Sequence, residues 1–169
     1  EESRMSTITS FRKKLNDITY YKKVASSLKH HRAFAPPRRV QIEITNRCNL
    51  RCIMCDRWKW ENEDKRGRKT LSSKRILTLI RELNDIGVEH VLLTGGETLL
   101  HPNIIEFVGH LSQLNMKISM FTNGTLMDRE KTQALAAANA TVIFSIDGVL
   151  ETHDRFRGVK GTYRKAIEG

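Results

Sequence analysis

No apolar run in this 169-residue chain approaches the roughly 18 residues of a membrane-spanning helix; the runs are short pieces such as Val91-Leu92-Leu93. The N-terminus is polar and charged, without an apolar stretch of signal-peptide type. Proline is scarce, at three residues, and neither an internal repeat nor a low-complexity tract is present. The length falls short of the roughly 250 residues of a complete eight-stranded α/β barrel. Cysteine is limited to Cys48, Cys52 and Cys55, an odd number within eight residues, which is a poor disulfide framework. What is present suffices for a core: 39% hydrophobic and 7% aromatic residues exclude wholesale disorder. The chain opens at Glu1 and not at a methionine, so the expectation is a piece of a longer protein.

The net charge of +10 is unevenly placed. Residues 1–40 hold ten Lys/Arg against three acids, so they carry +7 of it, and the remainder is nearly balanced. Within this leader, Ile8, Phe11, Leu15, Ile18, Tyr21, Val24 and Leu28 recur three or four residues apart, which predicts an amphipathic helix with lysines on its other face. Pro36-Pro37 ends it. The chain therefore divides into a basic helical leader, 1–38, and a main body, 39–169. Docking of the leader on the body is the favoured reading, with an anionic membrane surface or a nucleic acid as alternative partners.

The body alternates strands with helices. Strands are expected at Val40–Thr45, His90–Thr94, Lys117–Thr122 and Thr141–Ile146, with helices from Ser73 to a stop at Gly87, from Pro102, from Asp128 to Ala138, and from Thr162. The charged stretch 59–70, with Gly67, reads as a surface loop. This rhythm implies an α/β fold with a parallel sheet and right-handed crossovers. Polar or glycine chemistry follows each strand: Asn46 to Cys55, Gly95-Gly96-Glu97, Asn123, and Ser145 with Asp147. Ligands bind along that edge of parallel α/β folds.

The spacing Cys48-x3-Cys52-x2-Cys55 is the strongest signal. Soft thiolates suit iron–sulfur clusters, zinc or copper(I). Zinc would need a fourth ligand, with His90 or His101 as candidates. Three thiolates on a cubane of four irons would instead leave one iron open. Thiols kept for a metal imply a reducing compartment, hence a cytoplasmic protein.

The segment Glu43 to Cys55 resembles the cluster loop of the radical S-adenosylmethionine (radical SAM) superfamily, and Leu93-Thr94-Gly95-Gly96-Glu97 resembles its second motif. Phe121 to Gly124, and Phe144 to Gly148 followed by His153 to Arg157, are similar to its third and fourth strand ends. The stretch Ser145 to Arg157 most resembles the branch that modifies peptides and proteins and carries C-terminal auxiliary-cluster domains. The resemblance covers about residues 40–169 and implies a partial (β/α)6 barrel, truncated after about four strands. It implies a 4Fe–4S cluster on Cys48, Cys52 and Cys55, with S-adenosylmethionine on the open iron. Gly95 and Gly96 would admit its methionine moiety, and Glu97 would accept from its ammonium. Ser145 would contact ribose or carboxylate, Arg157 would pair with the carboxylate, and Met54 would lie along the adenine. Met54 stands where an aromatic residue is usual, and Thr98 where proline is usual. The implied reaction is reductive cleavage to a 5′-deoxyadenosyl radical that abstracts hydrogen from a peptide, protein or small biosynthetic substrate, with a flavodoxin or ferredoxin as electron donor. A cluster-holding module without turnover, and a nucleotide-directed enzyme of the molybdenum-cofactor type, are the alternatives. No catalytic residue beyond these contacts is assigned. Arg47, Arg51 and Arg57 are read as offsetting cluster charge or solvated, Trp58 and Trp60 as packing the cluster loop, Asp147 as bracing the turn before Gly148, and His153 as a surface residue.

Overall fold

The structure, a computed structural model, describes residues 2–62 and 71–169, with the side chains of 15–59 and 71–169. Gly67 of the expected loop, and the side chains of Ile8, Phe11 and Trp60, lie outside the described residues. Two compact units are present, Glu1–Pro37 and Arg38–Gly169.

The first unit is helix α1, Glu2–His30, which begins six residues before the expected start. Leu15, Ile18, Tyr21 and Leu28 are exposed. From Leu15 to Val24 the apolar positions step by three, and each such step turns about 60° around a helix of 3.6 residues per turn. The stripe therefore winds around α1 and does not form one fixed apolar face. Among the described residues no helix is long and apolar enough to cross a membrane.

The second unit holds four parallel strands, β1 (Arg39–Thr45), β2 (His90–Gly95), β3 (Lys117–Thr122) and β4 (Thr141–Phe144), in the order β1-β2-β3-β4. Strand order follows chain order, so the sheet has no switch point of the doubly wound kind and is wound as the wall of a β/α barrel. The connecting helices are α2 (Ser73–Asp85), α3 (Ile104–Gln113) and α4 (Arg129–Ala137). Alternate strand residues in register, Ile42 with Leu93 and Met120, pack with Ile76, Ile80, Phe107 and Leu111 of α2 and α3 in one buried cluster. The period of two along the strands meets the 3.6 period of the helices there. Ser72 caps α2 by accepting from Arg75 N at 3.3 Å, and Asp128 caps α4 by accepting from Lys131 N at 2.8 Å.

β4 ends two residues earlier than expected, although Ser145 N still donates to the Thr122 carbonyl at 3.0 Å. Beyond it lies a helix that sequence periodicity did not reveal, α5 (Leu150–Arg157), followed by α6 (Thr162–Glu168). Asp154 joins them by accepting from Gly161 N at 2.5 Å, Thr162 Oγ1 at 2.8 Å and Tyr163 N at 2.9 Å. The backbone bonds from Tyr163 and Gly161, foremost among the causes, lower its carboxyl from 3.8 to about 2. A depressed acid supports the fold above its unfolded value and loses that support as pH falls through the folded one. Thermal melts of the wild type should therefore decline between pH 4 and about pH 2. Asp154→Ala should melt several degrees lower at neutral pH and decline less over that range; identical profiles would show that the α5–α6 link contributes nothing.

Candidate functional site

The C-terminal ends of the strands converge on one cavity of about 300 Å³. Cys48, Cys52, Met54, Cys55, Gly95, Gly96, Glu97, Ser145 and Arg157 all line it. Four separate chain segments thus meet where a parallel α/β wall opens.

The cysteine loop is held from both sides. Toward β2, Gly96 N donates to the Thr45 carbonyl and Glu97 N to the Arg47 carbonyl, each at 2.8 Å. This approach depends on missing side chains: a Cβ on Gly95 would meet the Thr45 carbonyl oxygen, and one on Gly96 the Arg47 carbonyl. Gly95 also has φ of 143°, which L side chains rarely adopt. Toward α5, Arg51 N donates to the Arg157 carbonyl at 3.0 Å and Ile53 N to the Phe156 carbonyl at 2.9 Å. The last carbonyls of α5, which no helical donor reaches, thereby find partners in the loop. Trp58 Nε1 donates to the Cys52 carbonyl at 3.3 Å, so Trp58 packs the loop as expected.

All three cysteines are free thiols, with Cys52 buried and the others half-buried. Burial, the largest cause, pushes the Cys48 thiol up from 9.0. A nucleophilic cysteine needs the opposite shift. The histidines proposed to complete a zinc site are engaged elsewhere. His90 opens β2 at its N-terminal end, about 17 Å of strand from Gly95, and its Nε2 lies 2.9 Å from Ser119 Oγ. His101 Nδ1 accepts from Asn103 N at 3.2 Å, and its ring packs on Phe107. Among the described residues no group of three or more His, Cys, Asp or Glu side chains is gathered to hold a single metal ion. Three thiols without a fourth ligand, around a cavity, fit a multi-iron cluster with one open iron better than closed zinc.

Glu97 is 1% exposed, and three donors hold it: Leu99 N at 3.0 Å and Thr122 Oγ1 at 2.7 Å on Oε1, and Asn123 N at 2.7 Å on Oε2. Burial pushes its carboxyl above the ordinary 4.5, against these bonds and the charge of Arg157. Asn123 Nδ2 donates to Asn49 Oδ1 at 2.9 Å, tying Glu97 to the residue after Cys48. In Glu97→Gln an amide NH₂ must face either Leu99 N–H or Asn123 N–H. This should lower stability by about 1–3 kcal/mol in denaturant titrations, and an unchanged midpoint would show those bonds to be worth nothing net.

Two expectations are corrected. His153 is fully buried; its Nδ1 accepts from Asp147 N at 3.2 Å, its ring meets Tyr163 edge-on, and burial lowers its pKa from 6.5. The unforeseen helix α5 turns it inward. Asp147 does not brace its own turn; its carboxylate stands 2.7 Å from Arg157 Nε. Arg57 is committed to a two-pronged pair with Glu43, while Arg51 lies over the Trp58 ring and donates to the Cys48 and Leu50 carbonyls. Met54 lines the cavity with over half its surface exposed.

Comparison with known proteins agrees with this geometry. Fe-coproporphyrin III synthase of Methanosarcina barkeri is 33% identical over 127 residues, 75% of this chain and 31% of that protein. The antilisterial bacteriocin subtilosin biosynthesis protein AlbA of Bacillus subtilis is 34% identical over 138 residues, 80% of this chain and 30% of its own length. The chain thus spans about a third of the curated relatives it matches. Streptococcus suis SuiB, crystallised with S-adenosylmethionine, shares the fold at a TM-score of 0.68 and 24% identity, over 85% of this chain and 33% of SuiB. With the Radical SAM superfamily profile matching residues 42–169, which span the cysteine loop, the glycine turn, Glu97 and Arg157, the chain belongs to that superfamily.

Proposed function

We propose that this chain holds a 4Fe–4S cluster on Cys48, Cys52 and Cys55, binds S-adenosylmethionine beside it, and forms the cofactor half of an enzyme acting on a peptide, protein or small biosynthetic substrate. The observation that carries this reading is the meeting of the three thiols, the Gly95-Gly96 turn, Glu97, Ser145 and Arg157 around one cavity. A 4Fe–4S cluster held there would, when reduced, supply one-electron chemistry able to open the sulfonium of S-adenosylmethionine to methionine and a 5′-deoxyadenosyl radical that takes a hydrogen atom from the substrate.

The chain's own residues bind and orient. Gly95 and Gly96 line the cavity and offer backbone to the methionine moiety, their Cβ positions being filled by the cysteine-loop backbone. A carboxylate has about four acceptor sites, and the three donors on Glu97 leave one on Oε2 for the ammonium. Arg157 has five N–H groups, and its free pair on the two terminal nitrogens takes the carboxylate. Ser145 contributes a hydroxyl at the same wall, and the Met54 thioether packs on the adenine face. Thiols kept for a cluster support a reducing, cytoplasmic setting, with a flavodoxin or ferredoxin as electron donor.

Anaerobic reconstitution should give a brown protein with about four irons per chain, and dithionite with S-adenosylmethionine should yield 5′-deoxyadenosine. Stoichiometric zinc that iron cannot displace would refute the cluster. A full cluster without 5′-deoxyadenosine at saturating S-adenosylmethionine would reduce the chain to a cluster-holding module.

A further inference from the structure

His153 and Arg157 stand four residues apart on α5, so both project from one helix face, toward the segment that follows β4. His153 fixes the backbone of Asp147, and the Asp147 carboxylate stands 2.7 Å from Arg157 Nε. Arg157 Nη2 donates to the Ser145 carbonyl at 2.7 Å. Held at these two points, the guanidinium places Nη1 3.8 Å from Cys52 Sγ, within hydrogen-bond reach of a sulfur. The Arg157 side chain is only 13% exposed and Cys52 is 8% exposed, so water screens the contact little. A charged N–H donor at a ligand sulfur favours the cluster's more negative, reduced state, because the added charge spreads onto the sulfurs.

The geometry points to a second role for Arg157, resting on the proposed function: braced by Asp147, it is a charged N–H···S donor to Cys52 that raises the reduction potential of the cluster independently of S-adenosylmethionine. One Nη1 and one Nη2 proton serve the sulfur and the Ser145 carbonyl, while Nε, which makes no hydrogen bond, is held by its ion pair with Asp147; one proton on each terminal nitrogen is left for the carboxylate.

The test is an EPR-monitored redox titration of the reconstituted chain without S-adenosylmethionine, with iron counted in every sample. Compared in samples reconstituted to the iron content of the wild type, Arg157→Gln should shift the midpoint negative, and Arg157→Lys, which retains charge but loses the fork, should shift it less. Asp147→Asn separates the brace from simple charge. Deleting an acid near the cluster by itself moves the midpoint positive, whereas releasing the guanidinium moves it negative, and the negative shift is expected. An unchanged midpoint in Arg157→Gln, or a positive shift in Asp147→Asn, overturns the inference. Either result with a full wild-type cluster leaves the proposed function standing, while a wild type that takes up no four-iron cluster overturns both.

Discussion

Replacing any one of Cys48, Cys52 or Cys55 by alanine should lower cluster iron and 5′-deoxyadenosine formation by about 100-fold or more, since removing only an outer-shell partner of a metal ligand already costs 10–100-fold. The sequence holds no fourth cysteine to substitute for the lost one. His90 sits at the far end of β2, and His101 is committed to Asn103 and Phe107, so neither replaces it. The fold should survive each change, because the loop is held by backbone bonds from Arg51, Ile53, Gly96 and Glu97 that no cysteine side chain makes. The check is iron content and 5′-deoxyadenosine yield beside a thermal melt. A variant that keeps full iron, or that loses iron only because it no longer melts cooperatively, defeats the assignment of its cysteine.

The barrel wall was legible because each strand sits between a helix with apolar spacing and a turn residue. β3 follows the reading residue for residue, since Asn123-Gly124 stops it abruptly. β4 stops two residues short of its sequence pattern: Ser145 and Ile146 continue the apolar alternation, but Asp147 and Gly148, with φ of 133° at Gly148, draw the chain off the ladder toward α5. Helix α5 itself was invisible to periodicity. In Leu-Glu-Thr-His-Asp-Arg-Phe-Arg the one buried side chain is His153, so no apolar stripe marks the helix. In α1 the converse holds: three-residue spacing suggests a face that the helical turn does not keep.

At the site, the nine residues expected from motifs line the same cavity, because eight lie at or just beyond strand ends that the parallel wall gathers and α5 returns Arg157 to them. What stayed hidden is the support behind them. Asn49 and Asn123, 74 positions apart, meet through their amides, and nothing local to either predicts the contact. His153 and Arg157 did carry a signal, the four-residue spacing, but it has meaning only once α5 is recognised as a helix.

Gly96→Ala should be among the most damaging single substitutions in the chain. Its Cβ would fall against the Arg47 carbonyl oxygen and carbon and the Asn46 carbonyl oxygen. These are backbone atoms of the two residues before Cys48, so no rotamer change relieves the clash. The cysteine loop must move away from β2, which lengthens the Glu97 N to Arg47 carbonyl bond of 2.8 Å and strains the Gly96 N to Thr45 carbonyl bond beside it. Overpacking of this kind costs about 1–3 kcal/mol, and a buried N–H left without its acceptor about as much again. A stability loss of about 3 kcal/mol is therefore expected in denaturant titrations, together with loss of the iron, because Cys48 travels with the loop. Gly109 provides the control. It lies inside α3, and a Cβ there meets nothing within 4 Å, so Gly109→Ala should instead stabilise by about 0.5–1 kcal/mol through its better helix propensity. The same methyl group thus has opposite signs at two glycines of one chain. Equal effects at both positions would mean that the close approach of the glycine turn to the cysteine loop does not hold the site together.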